Sequence, residues 1–550
     1  MLRALFLSLA TMTSAHGATF YASASGSGTA CTQGSPCQIA SWWALAAPGD
    51  TLVLNNGTYT GANQMLTLLG NYNTTTKTCS TWKGGAAGQP LTVRAATDGG
   101  AIIDGQFTNV PLRWKCVRHV NLEGVRIQDS PESVVTVEYS TWLNFRRISA
   151  YNGNYYPYPD STACPGVAYL NHHVMQIIGA SSYTMVEDSI FGGHGRNLYN
   201  TFGASHHNII RRSVLVGGGY SRGTSFSGCS TFPSSKNHGE PLQLYGVSDN
   251  VVENVIAIGI KNWAGHLRFN QAGMIIWVNT GEQGHRNKIL GSIAMRYPNY
   301  GFSVASHCTD TDADPCLTNP VLENIVSYQV GRGLHVVNGQ NVQVNYATLY
   351  GAGNNTESYL PSGLFLDEKY DADKSSTYFM RNVLSAHNTY GCRTLPNLVP
   401  GDAKLTYGLF YNNTTADFDA LCSAINKTFV TTGVNPVLNS IAYVKSNSPA
   451  ATAGENGGRV GADTRCRYIS TFSGTSIVTT HTTQSLWPLP SSLNQRVINE
   501  TSAIHGTSYD PNALVLDALA PRDTANIGCP TVAPTQDRTA PRRPTGLRVL

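Results

Sequence analysis

Met185-Val186-Glu187-Asp188-Ser189-Ile190 is answered by Ile209-Ile210-Arg211-Arg212-Ser213-Val214, with Glu187 and Arg211 24 residues apart. The pattern recurs upstream in Val120-Asn121-Leu122-Glu123 and Asn144-Phe145-Arg146-Arg147-Ile148. Downstream it returns in Val251-Val252-Glu253-Asn254-Val255-Ile256, Leu290-Gly291-Ser292-Ile293, Val321-Leu322-Glu323-Asn324-Ile325-Val326 and Phe379-Met380-Arg381-Asn382-Val383-Leu384. The copies read as apolar residues, a Glu or Arg, a small or polar residue, then apolar residues again. Glu123 to Arg146 is 23 residues, and the 70 from Glu253 to Glu323 fit multiples of that period with insertions. A second, alternating strand precedes these segments, as in Val135-Thr136-Val137-Glu138, Pro241-Leu242-Gln243-Leu244-Tyr245, Met274-Ile275-Ile276-Trp277-Val278 and Leu334-His335-Val336-Val337. Polar clusters such as Gly203-Ala204-Ser205 supply corners. Short strands, polar corners and a period in the low twenties predict the coils of a parallel β-helix. A leucine-rich repeat would show Leu-x-x-Leu-x-Leu and a helical segment, and a β-sandwich would not repeat so regularly.

Composition agrees with an all-β solenoid. Of the 550 residues only 13% are charged, about half the usual ~25%. The 54 glycines suit a chain of many turns, and 41% hydrophobic residues are ample for a long core. A net charge of +4 is too small to imply a nucleic-acid partner. Residues 1–17 combine Arg3, an apolar run from Ala4 to Met12, and small residues at Ala15 and Gly17. That is the pattern of a secretory signal peptide, which predicts a secreted, extracellular or periplasmic protein. No later apolar run of ~20 residues suggests a membrane span. Twelve cysteines fit export: Cys31, Cys37, Cys79, Cys116, Cys164, Cys229, Cys308, Cys316, Cys392, Cys422, Cys466 and Cys529. Sequential pairing is the simplest arrangement, although sequence leaves connectivity open.

The mature chain opens with Thr19-Phe20-Tyr21-Ala22-Ser23, a short helix candidate over 38–47, and Pro48-Gly49-Asp50-Thr51. Gly57-Thr58-Tyr59-Thr60-Gly61 and Ile102-Ile103-Asp104-Gly105 follow. On these residues the chain resembles the secreted right-handed parallel β-helix proteins of the pectate-lyase-like superfamily. Gly454-Glu455-Asn456-Gly457-Gly458-Arg459-Val460-Gly461-Ala462 also looks like the end of helices in that group. The resemblance implies a right-handed single-stranded helix over 18–462 with an N-terminal cap helix. A C-terminal covering segment is expected over 463–530 and a Pro/Arg-rich tail over 531–550. A monomer is expected, with no organic cofactor.

Insertions at 153–172, 219–239, 260–272, 307–319 and 351–362 read as sharing one phase, after the Glu/Asn-type strand and before the alternating strand. Same-phase insertions stack into a wall, and a wall beside a flat sheet makes a groove for an extended polymer. Drift on a tolerant side is the alternative. The loops carry Tyr220, Arg222, His238, Trp263, His266, Arg296 and Tyr297, rings and cations suited to sugars bearing carboxylates or sulfates. Each taken singly also reads as a residue packed over an exposed loop. His194 lies seven residues past Glu187, Lys261 eight past Glu253, and Arg296 six past Leu290, so all three are expected near one corner.

A polysaccharide lyase needs a base for the proton α to a uronate carboxylate, and a group to neutralise the enolate. The resemblance implies Lys or Arg as base, with calcium or basic side chains on the carboxylate. Lys261 with His194, Arg196 or Arg268 would supply that set. Glu240 and Asp188 would instead make a carboxylate pair for glycoside hydrolysis. The polygalacturonase pattern is absent except for Gly193-His194-Gly195. Asp310, Asp312 and Asp314, between Cys308 and Cys316, are candidate calcium ligands, with a solvated acidic turn as the alternative. Asp367, Glu368, Asp371 and Asp373 form a weaker acidic cluster. The functional expectation is an enzyme modifying an acidic polysaccharide, with β-elimination favoured. A non-catalytic glycan-binding or structural β-helix is the other class.

Overall fold

The computed structural model describes residues 17–153, 172–193, 195–218, 240–259, 272–279, 281–307, 316–353, 361–367, 376–396, 398–399, 401–438, 440–516 and 529. The expected signal peptide, apart from Gly17, and the 531–550 tail lie outside these residues. The fold is a right-handed parallel β-helix: strand after strand pairs in parallel with its counterpart one coil away. Two compact units make up the chain. The first holds the described residues up to Asn208 together with Gly217–Val247, and the second holds Ile209–Val216 and the described residues from Ser248 onward.

Each coil of the first unit has up to three strands. The first strands are Leu66–Leu69, Leu112–Lys115, Val135–Glu138, Met175–Ile178, Tyr199–Phe202 and Leu242–Tyr245, each in register with the next. Second strands include Val117–Glu123, Thr141–Arg146 and Ser182–Glu187, and third strands Arg126–Gln128, Ser149–Tyr151 and Ile190–Gly193. In the second unit the first strands are Ala272–Asn279, Tyr300–His307, Arg332–Val337, Ser362–Asp367, Tyr390–Thr394 and Ala416–Phe418. Its second and third strands merge from Val321–Tyr328 onward into single long strands such as Val342–Tyr350 and Tyr378–Ala386.

The repeat has a backbone cause. The small or polar residue after each Glu or Arg is the corner between second and third strand, and it sits at positive φ. Gly124, Arg147 and Asp188 hold it in the first unit, and Arg212, Asn254, Gly291, Asn324 and Asn382 in the second. Gly, Asn and Asp tolerate that conformation best. A serine two residues beyond the Glu or Arg position often closes the turn: Ser189 donates to the Glu187 carbonyl, Ser213 to Arg211 and Ser292 to Leu290.

A glycine column was not evident from the pattern. Gly273, Gly301, Gly333, Gly363 and Gly391 occupy one register at the start of the second unit's first strands. A Cβ on Gly301 would lie 2.8 Å from the Gly333 carbonyl oxygen, and one on Gly333 2.5 Å from that of Gly363. The coils approach too closely there for any other residue.

The helix Ile39–Leu45 buries Ile39 and Trp42, as an N-terminal cap should. The motif before the next strand acts through Asp50, whose carboxylate accepts from the backbone of Ala18 at 2.7 Å and Ala47 at 2.8 Å. At the other terminus the segment after 440 covers a flank of the second unit's coils. Val444, Ala450 and Val460 pack on Leu384, Ala386 and Leu409. The hairpin of Cys466–Ser473 and Ser476–Ser485 then docks on the corner column. Glu253 accepts from the Ser470 amide and hydroxyl at 2.9 and 2.6 Å, and the Asn254 side chain exchanges two bonds with the Tyr468 backbone. The Tyr468 hydroxyl donates to Glu323 at 2.6 Å and accepts from Asn324. Its ring lies over Gly291, where a Cβ would come within 3.0 Å.

Four disulfides join sequential cysteines: Cys31–Cys37, Cys79–Cys116, Cys392–Cys422 and Cys466–Cys529. Cys316 is also disulfide-bonded, while Cys164, Cys229 and Cys308 lie outside the described residues. One expectation about phase is corrected. Insertions 153–172, 219–239, 260–272 and 351–362 do fall between a third strand, or its merged equivalent, and a first strand. Residues 307–319 instead follow the first strand Tyr300–His307 and precede Val321–Tyr328, so they belong to a different corner. Small residues in Tyr300-Gly301-Phe302-Ser303-Val304-Ala305 had diluted the alternation that marks that strand. Among the described residues no helix is long and apolar enough to cross a membrane.

Replacing Gly333 by Ala should lower stability by about 1–3 kcal/mol, because the added methyl meets backbone. Gly34→Ala, where a Cβ meets nothing within 4 Å, should stay within about 0.5 kcal/mol of the parent. Equal denaturant midpoints for the two variants would refute the close-approach argument.

Candidate functional site

The outward face of the first unit's first strands carries two adjoining columns. Thr136, Gln176, Asn200 and Gln243 are in register across four coils. They alternate with inward residues such as Ile177, Thr201 and Leu244. Two residues further along each strand, Glu138, Ile178, Phe202 and Tyr245 form the second column. Phe202 is 40% exposed, and its ring lies 5.0 Å from that of Tyr245 at a 46° tilt. Of the polar column only Gln176 is partly exposed, Thr136, Asn200 and Gln243 being buried, while the exposed Phe202 ring supplies an apolar surface beside it.

The columns begin at a basic end. Arg113 and Lys115, one coil before Thr136 and Glu138, share the single carboxylate of Glu138 at 3.0 and 3.4 Å. At the corner entering the strands stand His172, His173, Arg196, Asn197 and Glu240. The Asn197 amide donates to Glu240 Oε2 at 3.2 Å and to Gln243 Oε1 at 3.3 Å, all three residues being buried. Backbone bonds hold this corner: Arg196 N–H donates to the His172 carbonyl and Val174 N–H to that of Asn197.

Burial first, then the charges of Arg196 and His172, push the His173 imidazole down to about 3. Asn197 pulls the other way, though no hydrogen bond joins its Oδ1 to His173 Nδ1. With the Asn200 amide donating to Nε2 at 3.3 Å, the neutral ring carries its proton on Nδ1. His172 is also lowered, by burial, with Glu132 opposing. His173 Nδ1, Asn197 Oδ1 and Asn200 Oδ1 are buried and have no hydrogen-bond partner among the described residues. Each such group costs about 1–3 kcal/mol unless something meets it.

Of the residues singled out from sequence, Arg196 and Glu240 reach this corner. His194, Tyr220, Arg222, His238, Lys261, Trp263, His266 and Arg268 lie outside the described residues, as do the calcium candidates Asp310, Asp312 and Asp314. Arg296 and Tyr297 belong to the second unit. Tyr297 is a fully buried core residue there and presents no ring face to a ligand. Among the described residues no group of three or more His, Cys, Asp or Glu could hold a metal ion. Sequence reading missed His173, Asn197, Asn200, Gln176, Gln243, Phe202 and Tyr245. The signal was present in Gln243 and Tyr245, the outward residues of a strand already recognised as alternating.

The chain matches no family model and no curated protein. Among solved structures it is similar to pectate lyase Pel9A, at 14% identity over 86% of this chain and 94% of that one, with a TM-score of 0.44. A rhamnogalacturonan lyase shows 13% identity over 77% and 91%, with a TM-score of 0.41. An alginate lyase from Paenibacillus sp. str. FPU-7 shows 13% over 76% and 99%, with a TM-score of 0.36. At these identities no activity transfers, and the architecture rests on the strand pairing itself.

His173 titrates far below its unfolded value of 6.5, so the stability gained from its neutral form is complete above that pH. It is lost as pH falls from there towards about 3. Between neutral pH and about pH 4 the melting temperature of the parent should therefore fall further than that of His173→Gln. Parallel pH profiles would show that the imidazole is not held neutral by the fold.

Proposed function

We propose that this is a secreted protein that binds and modifies an acidic polysaccharide along the outward strand face of its first unit. The observation that carries the reading is the exposed Phe202 ring tilted against Tyr245, beside a column of polar side chains in register across four coils. Arg113, Lys115 and Arg196 give the face a cationic bias suited to uronate carboxylates. The disulfides fit an oxidising compartment.

β-Elimination is the reaction class favoured for this chain. It would take Lys261 as base, deprotonated by desolvation, and a cation such as Arg196, Arg268 or protonated His194 against the carboxylate. In that role the base removes the proton α to the carboxylate, the enolate charge falls on the cation, and the glycosidic oxygen leaves. Calcium at Asp310, Asp312 and Asp314 remains part of the proposal as a structural or substrate-bridging ion. A binding module without chemistry is the second reading. What favours it is that His173, the buried imidazole of the corner, has Nε2 engaged by Asn200 and stays neutral.

Purified protein incubated with pectate, alginate and glycosaminoglycans, with and without calcium, separates the two. New ultraviolet absorbance from an unsaturated uronate, lost in Lys261→Ala, is expected for the lyase. Binding without turnover on every polymer would leave the module reading standing. In either case Phe202→Ala combined with Tyr245→Ala should weaken binding by about tenfold, the scale of ~1.4 kcal/mol. Unchanged affinity in that double variant would remove this face as the docking surface.

A further inference from the structure

Arg296 stands at the end of the third strand Ile293–Met295 in the second unit, at φ 64°. Equivalent corners in the following coils hold Gln329, Gly351, His387 and Asn412. An arginine at positive φ is tolerable where its charge is used. Arg147, at φ 51°, donates to Asp98 at 2.7 Å and to Glu123, and Arg286, at φ 54°, clasps Asp249 with two bonds of 2.7 Å. Arg296 differs. Among the described residues its buried Nε has no hydrogen-bond partner, and no ion pair reaches its guanidinium.

Two buried tyrosines lie within electrostatic reach of this cation. Tyr328 comes from the next coil, whose carbonyl accepts the Arg296 backbone N–H at 2.9 Å. Tyr509 comes from the link between the helices Ser491–His505 and Pro511–Leu516. Burial raises both phenols, and the Arg296 charge opposes that rise in each. Both tyrosines are buried, at 7% and 8% exposure, whereas Arg296 stays half-buried and accessible. A partly desolvated guanidinium with an unused buried N–H is costly without an anion. Its planar fork matches a carboxylate or sulfate bidentately.

We propose that Arg296, a half-buried arginine at a left-handed corner with an unpartnered Nε, is an oxyanion-binding site for a carboxylate or sulfate group. It belongs to the second unit and does not rest on the glycan-binding reading of the first. The oxyanion can arrive as a substituent of an acidic sugar chain or as a free ion, and the test separates the two sources.

The full chain labelled with nitrogen-15 arginine should show an Nε–H resonance that vanishes in Arg296→Gln while the melting curve keeps its cooperative transition. Titration with a trigalacturonate probe, with sodium acetate and with sodium sulfate should move that resonance saturably. A shift with trigalacturonate at concentrations where acetate and sulfate have no effect assigns the site to the sugar chain. Equal shifts with the small ions assign it to free oxyanions. Arg296→Lys keeps the charge but loses the fork, and should bind the same probe about tenfold more weakly, or ~1.4 kcal/mol. Gly34→Ala, at an open position outside both proposed sites, should leave the titration unchanged. No movement of the resonance with any of the three probes overturns the site. So does probe affinity in Arg296→Gln equal to that of the parent, measured by calorimetry.

Discussion

Hydrogen-bonding strands in neighbouring coils lie only about 4.8 Å apart, and that spacing governs the rest of the molecule. Whatever turn one coil makes, the next must make at the same place, or the ladder between them breaks. The left-handed corner after each Glu or Arg position follows from this. So does the glycine column from Gly273 to Gly391, where each residue lies against the carbonyl of the coil beyond. The repeat in the sequence records a repeated backbone geometry more than a repeated set of side-chain contacts. Side chains vary along a column, as from Asn254 to Gly291 to Asn324, so long as the backbone can turn.

That distinction explains what sequence could and could not disclose. Corner residues are limited by φ, and Glu187-Asp188-Ser189, Arg211-Arg212-Ser213 and Glu253-Asn254-Val255 could therefore be aligned by eye. The cap helix and the role of the Pro48-Gly49-Asp50 turn were legible for a similar reason, since local backbone groups there need a specific partner. The glycine column escaped notice because its cause is contact between coils some thirty residues apart in sequence. The strand Tyr300–His307 escaped because its outward positions are small, and with it the true phase of residues 307–319.

The face proposed to bind glycan was legible in part. Arg196 and Glu240 drew attention because charges in loops are conspicuous. Asn197, Asn200, Gln176 and Gln243 did not, because a single amide on a strand is ordinary. Their meaning comes from stacking: the register of parallel strands converts amides far apart in sequence into one column. His173 was hidden for another reason. Nothing in His172-His173 says which imidazole is buried, and only the fold separates the half-buried ring from the one held neutral near Arg196.

Buried polar groups under the C-terminal hairpin show how the fold meets its own polar requirement. At the flank covered by the C-terminal hairpin, burial raises Glu253, yet two bonds from Ser470 and the nearby arginines Arg211 and Arg212 oppose it. Asn254, Asn324, Glu323 and Tyr468 complete that network with every bond directed at a neighbour. Such a network fixes the hairpin on the coils and asks nothing of solvent. The same test applies to unusual corner residues. Trp142 and Tyr183, both at positive φ, stack on one another at 4.5 Å, so the ring contact within the ladder accounts for their presence. Arg147 and Arg286 are accounted for by their carboxylates. Arg296, and the unsatisfied atoms of His173, Asn197 and Asn200, have no such account within the fold. In a solenoid whose backbone demands are met coil by coil, polar capacity that the coils do not use is the clearest mark of where a ligand belongs.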